Sequence, residues 1–366
     1  MKITKQYQGF TQSGENPQAD LAYTASFGSI REFLPIIGYQ DDKELGENRK
    51  REDNGLARLT SRMETVDDKH ALNDLADTPD AYLVSGSIKI GTSSDQLPLA
   101  PGELVKSWNE NDRNYHSYEI SDPAVFNWHL GSFETEPLKG NSGDFEYSIW
   151  ASPNHPFNHS VYEQALIGSN QFISRHLGSS SSEEVRLVEI PYYHDKYHAF
   201  SNTIAISEKE GWYADTTGLT EKAYIYQTVA SQMIKLRLNE LVRVANVQGA
   251  DMLQLALPEA LALHYVKEEL GEEAVDLIIQ KKNDLYNKDR YNEPNQEPVL
   301  LNADGAEYLE ENKGAIALYN TSNEIGLSKF VEKINGWSQK DGNNKTFKSL
   351  IDYLKPEILT EPYEEI

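Results

Sequence analysis

The chain has no cysteine in its 366 residues. That excludes disulfides, thiolate nucleophiles and cysteine-held zinc. It does not assign a compartment, because a cysteine-free protein persists on either side of a membrane. Long apolar runs are missing too. No stretch approaches the roughly 18 residues that a transmembrane helix needs. The N-terminal MKITKQYQGFTQSG lacks the apolar centre of a signal peptide. The chain as given is expected to be soluble, either whole or as a piece of something larger. Positive charge is scarce: 34 Lys and Arg stand against 58 Asp and Glu, a formal net charge of −24. Binding to nucleic acid needs clustered cations that displace counterions, so this balance argues against it. It also argues against docking on anionic lipid. The acidity reads as a well-solvated surface. There is no GxGxxG, no Walker loop and no GxSxG. Among so many carboxylates, no pair is distinguished as glycosidase machinery.

What is present is enough apolar residue for a real core, 39% with 10% aromatic, in a length that suits two domains or one large one. Residues 1–30 read as strands with polar turns. From Asp41 to Lys69 charge is dense, as in an exposed loop or short helices. From Ala81 to Trp150 come short runs rich in Tyr, Val, Ile, Phe and Trp, divided by Gly, Pro, Asn and Asp, a β pattern. After Pro153 the pattern changes. SVYEQALIGSNQFISRHLG has helical spacing, with Gly178 placed to end it. VRLVEIPYY and SNTIAISEKEGWYAD read as strands. Helices are then predicted near 221–244, 251–270, 273–288, 305–320, 326–336 and 345–355. The fold class is α+β. A β-rich N-terminal domain over 1–152 precedes a mostly helical domain over 153–366.

Seven strings carry more than pattern. GFTQSG, FLPIIGY, ENRKREDNGL, DQLPLAPGEL, NTIAISEKEGWYAD, ANVQGADML and ENKGAIALY occur in that order. Together they resemble the M1 aminopeptidase-like (gluzincin) domain of bacterial proteins in which an ABC-2-type permease is joined to a zinc aminopeptidase. The resemblance covers about Lys2 to Tyr353. It implies a saddle-like β domain followed by a thermolysin-like domain, with the chain ending before any further C-terminal domain. It implies zinc on a His-Glu-x-x-His helix and a Glu of the next helix. Two His one turn apart take two corners of a tetrahedron, the Glu a third, and a water whose pKa the metal lowers takes the fourth. The motif's own Glu serves as base.

Set against that pattern, every chemical position is altered. Counting back from ANVQGA, the motif falls on Ser231-Gln232-Met233-Ile234-Lys235. Ser231 is a poor ligand, Gln232 cannot accept a proton usefully, and the Lys235 ammonium repels a cation. The third ligand falls on Leu255, or on Gln254 if the count shifts by one. Pro258 interrupts this second helix and is expected to kink it. The position of the oxyanion-stabilising Tyr holds Glu311, an acceptor where a donor is needed. Tyr308, one turn earlier, reads as packing. The resemblance therefore implies a degenerate site with no cofactor, in a domain that binds a ligand or plays a structural part. A peptide or small ligand is expected in the cleft between the domains. The family implies a permease portion and an ABC ATPase as partners, and a soluble domain of a bacterial membrane-associated protein facing out of the cytoplasm.

Other candidates are weaker. Glu208 matches the acidic residue that holds a peptide amine in active relatives, yet a carboxylate ending an edge strand is also ordinary. Asp251 and Glu259 flank the former ligand position and read as helix caps and solvation. His194 and His198 (HDKYH), like His155 and His159 (HPFNH), have i, i+4 spacing. They would chelate only if helical, and both pairs sit by prolines in loop-like sequence. His194 and His198, with zinc and a nearby carboxylate such as Glu208 or Glu210, form the alternative: an active metallo-aminopeptidase with relocated ligands. A last expectation is that Lys235 pairs with Glu311, a fixed charge in place of the metal. Ser231 and Lys235 share one helix face, and a buried ammonium needs an anion.

Overall fold

The computed structural model describes residues 25–29, 45, 48–59, 61–76, 84–124, 129–133, 137–152, 157–179, 184–190, 197–292, 297–340 and 344–355. Within them the architecture is mixed α+β. The N-terminal part runs β1 (Ala25–Ser29), α1 (Asn48–Asp53), β2 (Val84–Ser93), β3 (Leu97–Leu99), β4 (Glu103–Glu110), β5 (Arg113–Ala124) and β6 (His129–Phe133). Next come β7 (Leu138–Ser142), β8 (Phe145–Trp150), α2 (His159–His176), β9 (Glu184–Ile190), β10 (Tyr197–Phe200) and β11 (Thr203–Ser207). The rest is helical: α3 (Leu219–Leu241), α4 (Leu257–Leu270), α5 (Glu272–Asn292), α6 (Ala315–Ile325), α7 (Leu327–Ser338) and α8 (Phe347–Leu354). Gly178 takes φ +76° just beyond α2, as its sequence position predicts.

The central sheet has the order β10-β11-β9-β8-β7. Strands β8, β9 and β11 are parallel, and the two edge strands are antiparallel. A parallel strand covered on both faces needs apolar residues throughout, and β9 (EVRLVEI) is buried along nearly its whole length. Alternate residues face opposite layers. Tyr147, Ile149, Leu187, Ile204 and Ile206 pack with the helices. Trp150, Val188, Ile190, Ala205 and Phe200 pack on Phe27, Leu99 and Phe133 of a three-stranded sheet, β1-β6-β3. The central sheet continues across residue 152, since β8 ladders with β9.

A second three-stranded sheet, β2-β5-β4, turns at Asn111 and Asp112, both with positive φ, which suits a tight two-residue hairpin. Its outer face carries Trp108 stacked on Tyr115 with Lys89 and Lys106 over the rings. Its inner face is tied down by Tyr118, whose hydroxyl donates to the Pro98 carbonyl at 2.9 Å.

Two wide turns interrupt the helical part. Met252–Ala256 forms a π turn leading directly into α4, and Tyr308–Gly314 forms another leading into α6. The first lies just ahead of Pro258, where the sequence interrupts the helix. Proline cannot return a hydrogen bond to the preceding turn. The backbone instead widens just before it, with the Leu257 N–H reaching back to the Met252 carbonyl. The two turns pack on each other, and Gly314 makes this possible: a Cβ there would stand 2.6 Å from the Met252 sulfur.

The connector between α3 and the first π turn is a hub. On one side residues 61–76 cross it as an irregular strap of turns with a short 3-10 helix at Ala71–Asn73. Leu75 bridges Ala245, the Ala76 N–H donates to the Val244 carbonyl at 3.0 Å, and the Gln248 N–H donates to the Glu64 carbonyl at 2.8 Å. On the other side Val244 bridges Lys345, and the Ala245 N–H donates to the Lys345 carbonyl at 2.9 Å. Ala245 and Val247 are buried against Ala71 in a small cluster apart from the main core. Gly249 turns the chain into the helix with φ +84°, and a Cβ on it would lie 2.8 Å from the Phe347 Cβ. Gly249→Ala therefore meets both backbone strain and a clash. It is expected to lower stability by about 2–3 kcal/mol, read as a lower denaturant midpoint with an unchanged m-value.

Candidate functional site

The positions of the expected metal motif lie inside the protein. Ser231 and Gln232, on α3, are buried, and Lys235 is half-buried. The Ser231 hydroxyl donates to the Thr228 carbonyl at 3.1 Å, and Gln232 Nε2 lies 3.3 Å from Ser231 Oγ. Gln254 is buried and Leu255 half-buried on the π turn that precedes α4.

One turn beyond Leu255 is Glu259, and it is the centre of the arrangement. Its carboxyl is buried between α4 and α5, with the Lys282 ammonium 2.9 Å from Oε2. Lys282 also donates to the Glu311 backbone carbonyl at 2.9 Å. The Glu311 carboxyl accepts a hydrogen bond from the Tyr197 hydroxyl. Ser231, on α3, lies near enough to Glu259 to favour its charged form. One strand, three helices and a π turn thus meet at one ammonium, two carboxyls, a phenol and a hydroxyl.

Burial dominates the electrostatics. It raises the Glu259 pKa, and the nearby Glu311 charge adds to the rise, while Lys282 and Ser231 oppose it. Burial, then the charges of Glu259 and Glu311, holds the Tyr197 phenol well above its ordinary value. Tyr197 is therefore a neutral donor at any physiological pH. Burial resists the charged form of Glu259, and the Lys282 ammonium offsets part of that cost.

These residues do not fit zinc. A hydroxyl, an amide, a lysine and an aliphatic side chain stand where ligands would be, and an ammonium already sits beside the nearest carboxylate. Among the described residues no three His, Cys, Asp or Glu side chains are grouped to hold a metal ion.

Several expectations are corrected. The ammonium beside the acidic groups belongs to Lys282. Lys235 forms no ion pair among the described residues, and the Glu311 carboxyl takes its hydrogen bond from Tyr197. Glu259 is a buried partner of Lys282 instead of a solvated flank. The HDKYH stretch does not end in a helix: Tyr197 and His198 lie on β10, with their side chains on opposite faces. His198 packs beside His129, ring centroids 5.1 Å apart, near Phe27 and Phe200. His194 and His155 lie outside the described residues, and His159 starts α2. Glu208 follows β11, half-buried, its N–H donating to the Ile190 carbonyl at 2.8 Å.

Lys282 and Tyr197 escaped the sequence reading, although Lys282 left a trace. Val275, Ile278 and Lys282 follow helical spacing along the buried stripe of α5. A lysine on such a stripe calls for a buried anion. Another buried contact, His264 Nε2 to Ser322 Oγ at 2.5 Å, offers no nucleophile. The serine proton goes to the Tyr319 carbonyl at 2.7 Å, and burial lowers the His264 pKa to about 4.

No protein-family model matches the chain, and no curated protein matches it. Among solved structures it is similar to Legionella pneumophila aminopeptidase A, crystallised in complex with aspartic acid. The TM-score is 0.61 at 12% identity, over 75% of this chain and 33% of that one. The chain thus spans about a third of that protein's length. At this identity the likeness establishes the fold alone, which is aminopeptidase-like.

The buried pair makes a sharp stability prediction. Lys282→Ala leaves Glu259 without its cation and should cost about 3–5 kcal/mol. The double replacement Lys282→Met with Glu259→Gln removes both charges and should recover most of that loss in urea denaturation. A loss for the double variant equal to that of the single one would show that the charges are not coupled.

Proposed function

We propose that this chain is a non-catalytic domain of the M1 aminopeptidase type, in which a tethered ammonium replaces the metal as the link between helices. The observation that carries this reading is the Lys282 ammonium, 2.9 Å from Glu259 and bonded to the Glu311 carbonyl. Turnover of a peptide bond would need an activated water, a base and a donor to the oxyanion. Gln232 is no base, Glu311 is an acceptor, and the one phenol at the cluster is committed to Glu311.

By the same reading the domain serves as a ligand-binding or structural module of a transporter assembly. A peptide or small ligand binds in the cleft between the β-rich and helical parts, with Glu208 as the candidate anchor for an amine. The buried cluster itself is sealed from such a ligand. An ABC-2-type permease portion and its ATPase are the partners, and the domain faces out of the cytoplasm. Among the described residues no helix is long and apolar enough to cross a membrane. Membrane attachment in this proposal therefore belongs to the permease part. We place the division between the two parts before β7, nearer residue 137 than 152, because β7 and β8 share a sheet with β9.

Two measurements test the proposal. Protein purified without a chelating column should contain far less than one zinc per chain by elemental analysis. One zinc per chain, lost from a His198→Ala variant, would instead support relocated ligands at His194 and His198. Chromogenic aminoacyl substrates should show no turnover above a Lys282→Ala control. Chelator-sensitive turnover that survives repurification would overturn the non-catalytic reading.

A further inference from the structure

The strap that crosses the connector also covers a nest of carboxyl groups. Glu310 lies in the second π turn, fully buried. Its Oε1 accepts the Gly305 N–H at 3.0 Å, and its Oε2 is buried with no hydrogen-bond partner. Asp251 and Asp304 are the charges that face it, and both oppose its ionisation. The strap supplies the cation and the cover. The Arg62 backbone N–H donates to Asp304 Oδ2 at 3.0 Å, and its guanidinium comes within 3.5 Å of Oδ1. Met63 lies over Gly305: its sulfur and the Asp251 Oδ2 are 3.6 and 3.7 Å from where a Cβ on that glycine would stand. The nearby lysines of α5 and of the π turn are held elsewhere, Lys282 by Glu259 and Lys313 by Glu297.

We infer that residues 61–66 form a proton-linked lid, closed over a neutral Glu310 and opening as that carboxyl loses its proton. In the closed state Glu310 is dry. Burial first, then Asp251, raises its pKa from 4.5 to about 8. In the open state water reaches it, and it ionises like an ordinary carboxyl. Opening therefore releases a proton between those two values. Closure is fully favoured below about pH 4.5 and weakens as pH rises toward about 8. The strap suits this role. A few backbone hydrogen bonds, the Arg62–Asp304 contact, Met63 at the edge of the main core and a small satellite cluster hold it, with no regular secondary structure over residues 61–66. Opening removes the Arg62 cation from Asp304 at the same moment, so ionised Glu310 meets its acidic neighbours only where water screens them.

Hydrogen exchange on the intact chain tests the lid, with rates corrected for base catalysis. The Arg62 and Gln248 amides report on it, because both donate between the strap and the helical part. Between pH 6 and pH 8 their opening constant should rise by about fiftyfold, as a closed-state pKa of about 8 against an open-state 4.5 requires. In Glu310→Gln that rise should vanish, while the amides of α4 behave alike in both proteins. Should Glu310→Gln not fold, Asp251→Asn removes a facing charge and should move the rise to lower pH. An opening constant that stays fixed from pH 6 to 8, or that rises equally in wild type and variant, overturns the lid.

Discussion

The ammonium of Lys282 is the constraint on which the helical part turns. An isolated carboxylate in a protein interior is expensive, and two within reach of each other are worse. Glu259 is tolerable where it is because the Lys282 ammonium touches its carboxyl, and the same ammonium ties down the Glu311 backbone carbonyl. Tyr197 donates to the remaining carboxyl and thereby fixes β10, the edge strand, against the second π turn. The result is a cross-link by charge among α3, α4, α5, the turn and the sheet. A metal would tie the same elements by coordination, with strict geometry and with a bound water made acidic. A lysine ties them without supplying that water.

The two π turns place the carboxyls of this cluster. Each inserts one extra residue per turn ahead of a helix and so re-aims the side chains that follow. Pro258 accounts for the first, since no α-helical hydrogen bond can be made from it. The second has no such single cause. It is held by packing, with Gly314 pressed on Met252 and Lys282 capping the Glu311 carbonyl. Glu310 and Glu311, adjacent in sequence, are thereby sent to separate surroundings. Glu311 enters the charge cluster, while Glu310 enters the acidic nest beneath the strap.

The connector is fixed by demands of its own that involve no ligand chemistry. Residues 243–248 are gripped by backbone hydrogen bonds with the strap and with Lys345, and Gly249 must turn with positive φ against Phe347. These demands fall on backbone and small side chains. They are indifferent to whether α3 carries histidines.

The sequence by itself determined the α+β class, the strand-rich first part, the six C-terminal helical segments and the absence of good metal ligands among the side chains of Ser231, Gln232 and Lys235. Those follow from local spacing and from the chemistry of single residues. It also marked Pro258 and Gly178 as special, because proline restricts the backbone and glycine frees it wherever they stand. Only the tertiary structure decided that Lys282 and not Lys235 holds the acidic groups, that Tyr197 reaches Glu311 from a strand, and that β7 and β8 join the sheet of β9. Lys282 and Glu259 are separated by more than twenty positions, and Tyr197 and Glu311 by more than a hundred. No periodicity spans such gaps. Which charge finds which is settled by how the helices pack, and packing is a property of the whole chain.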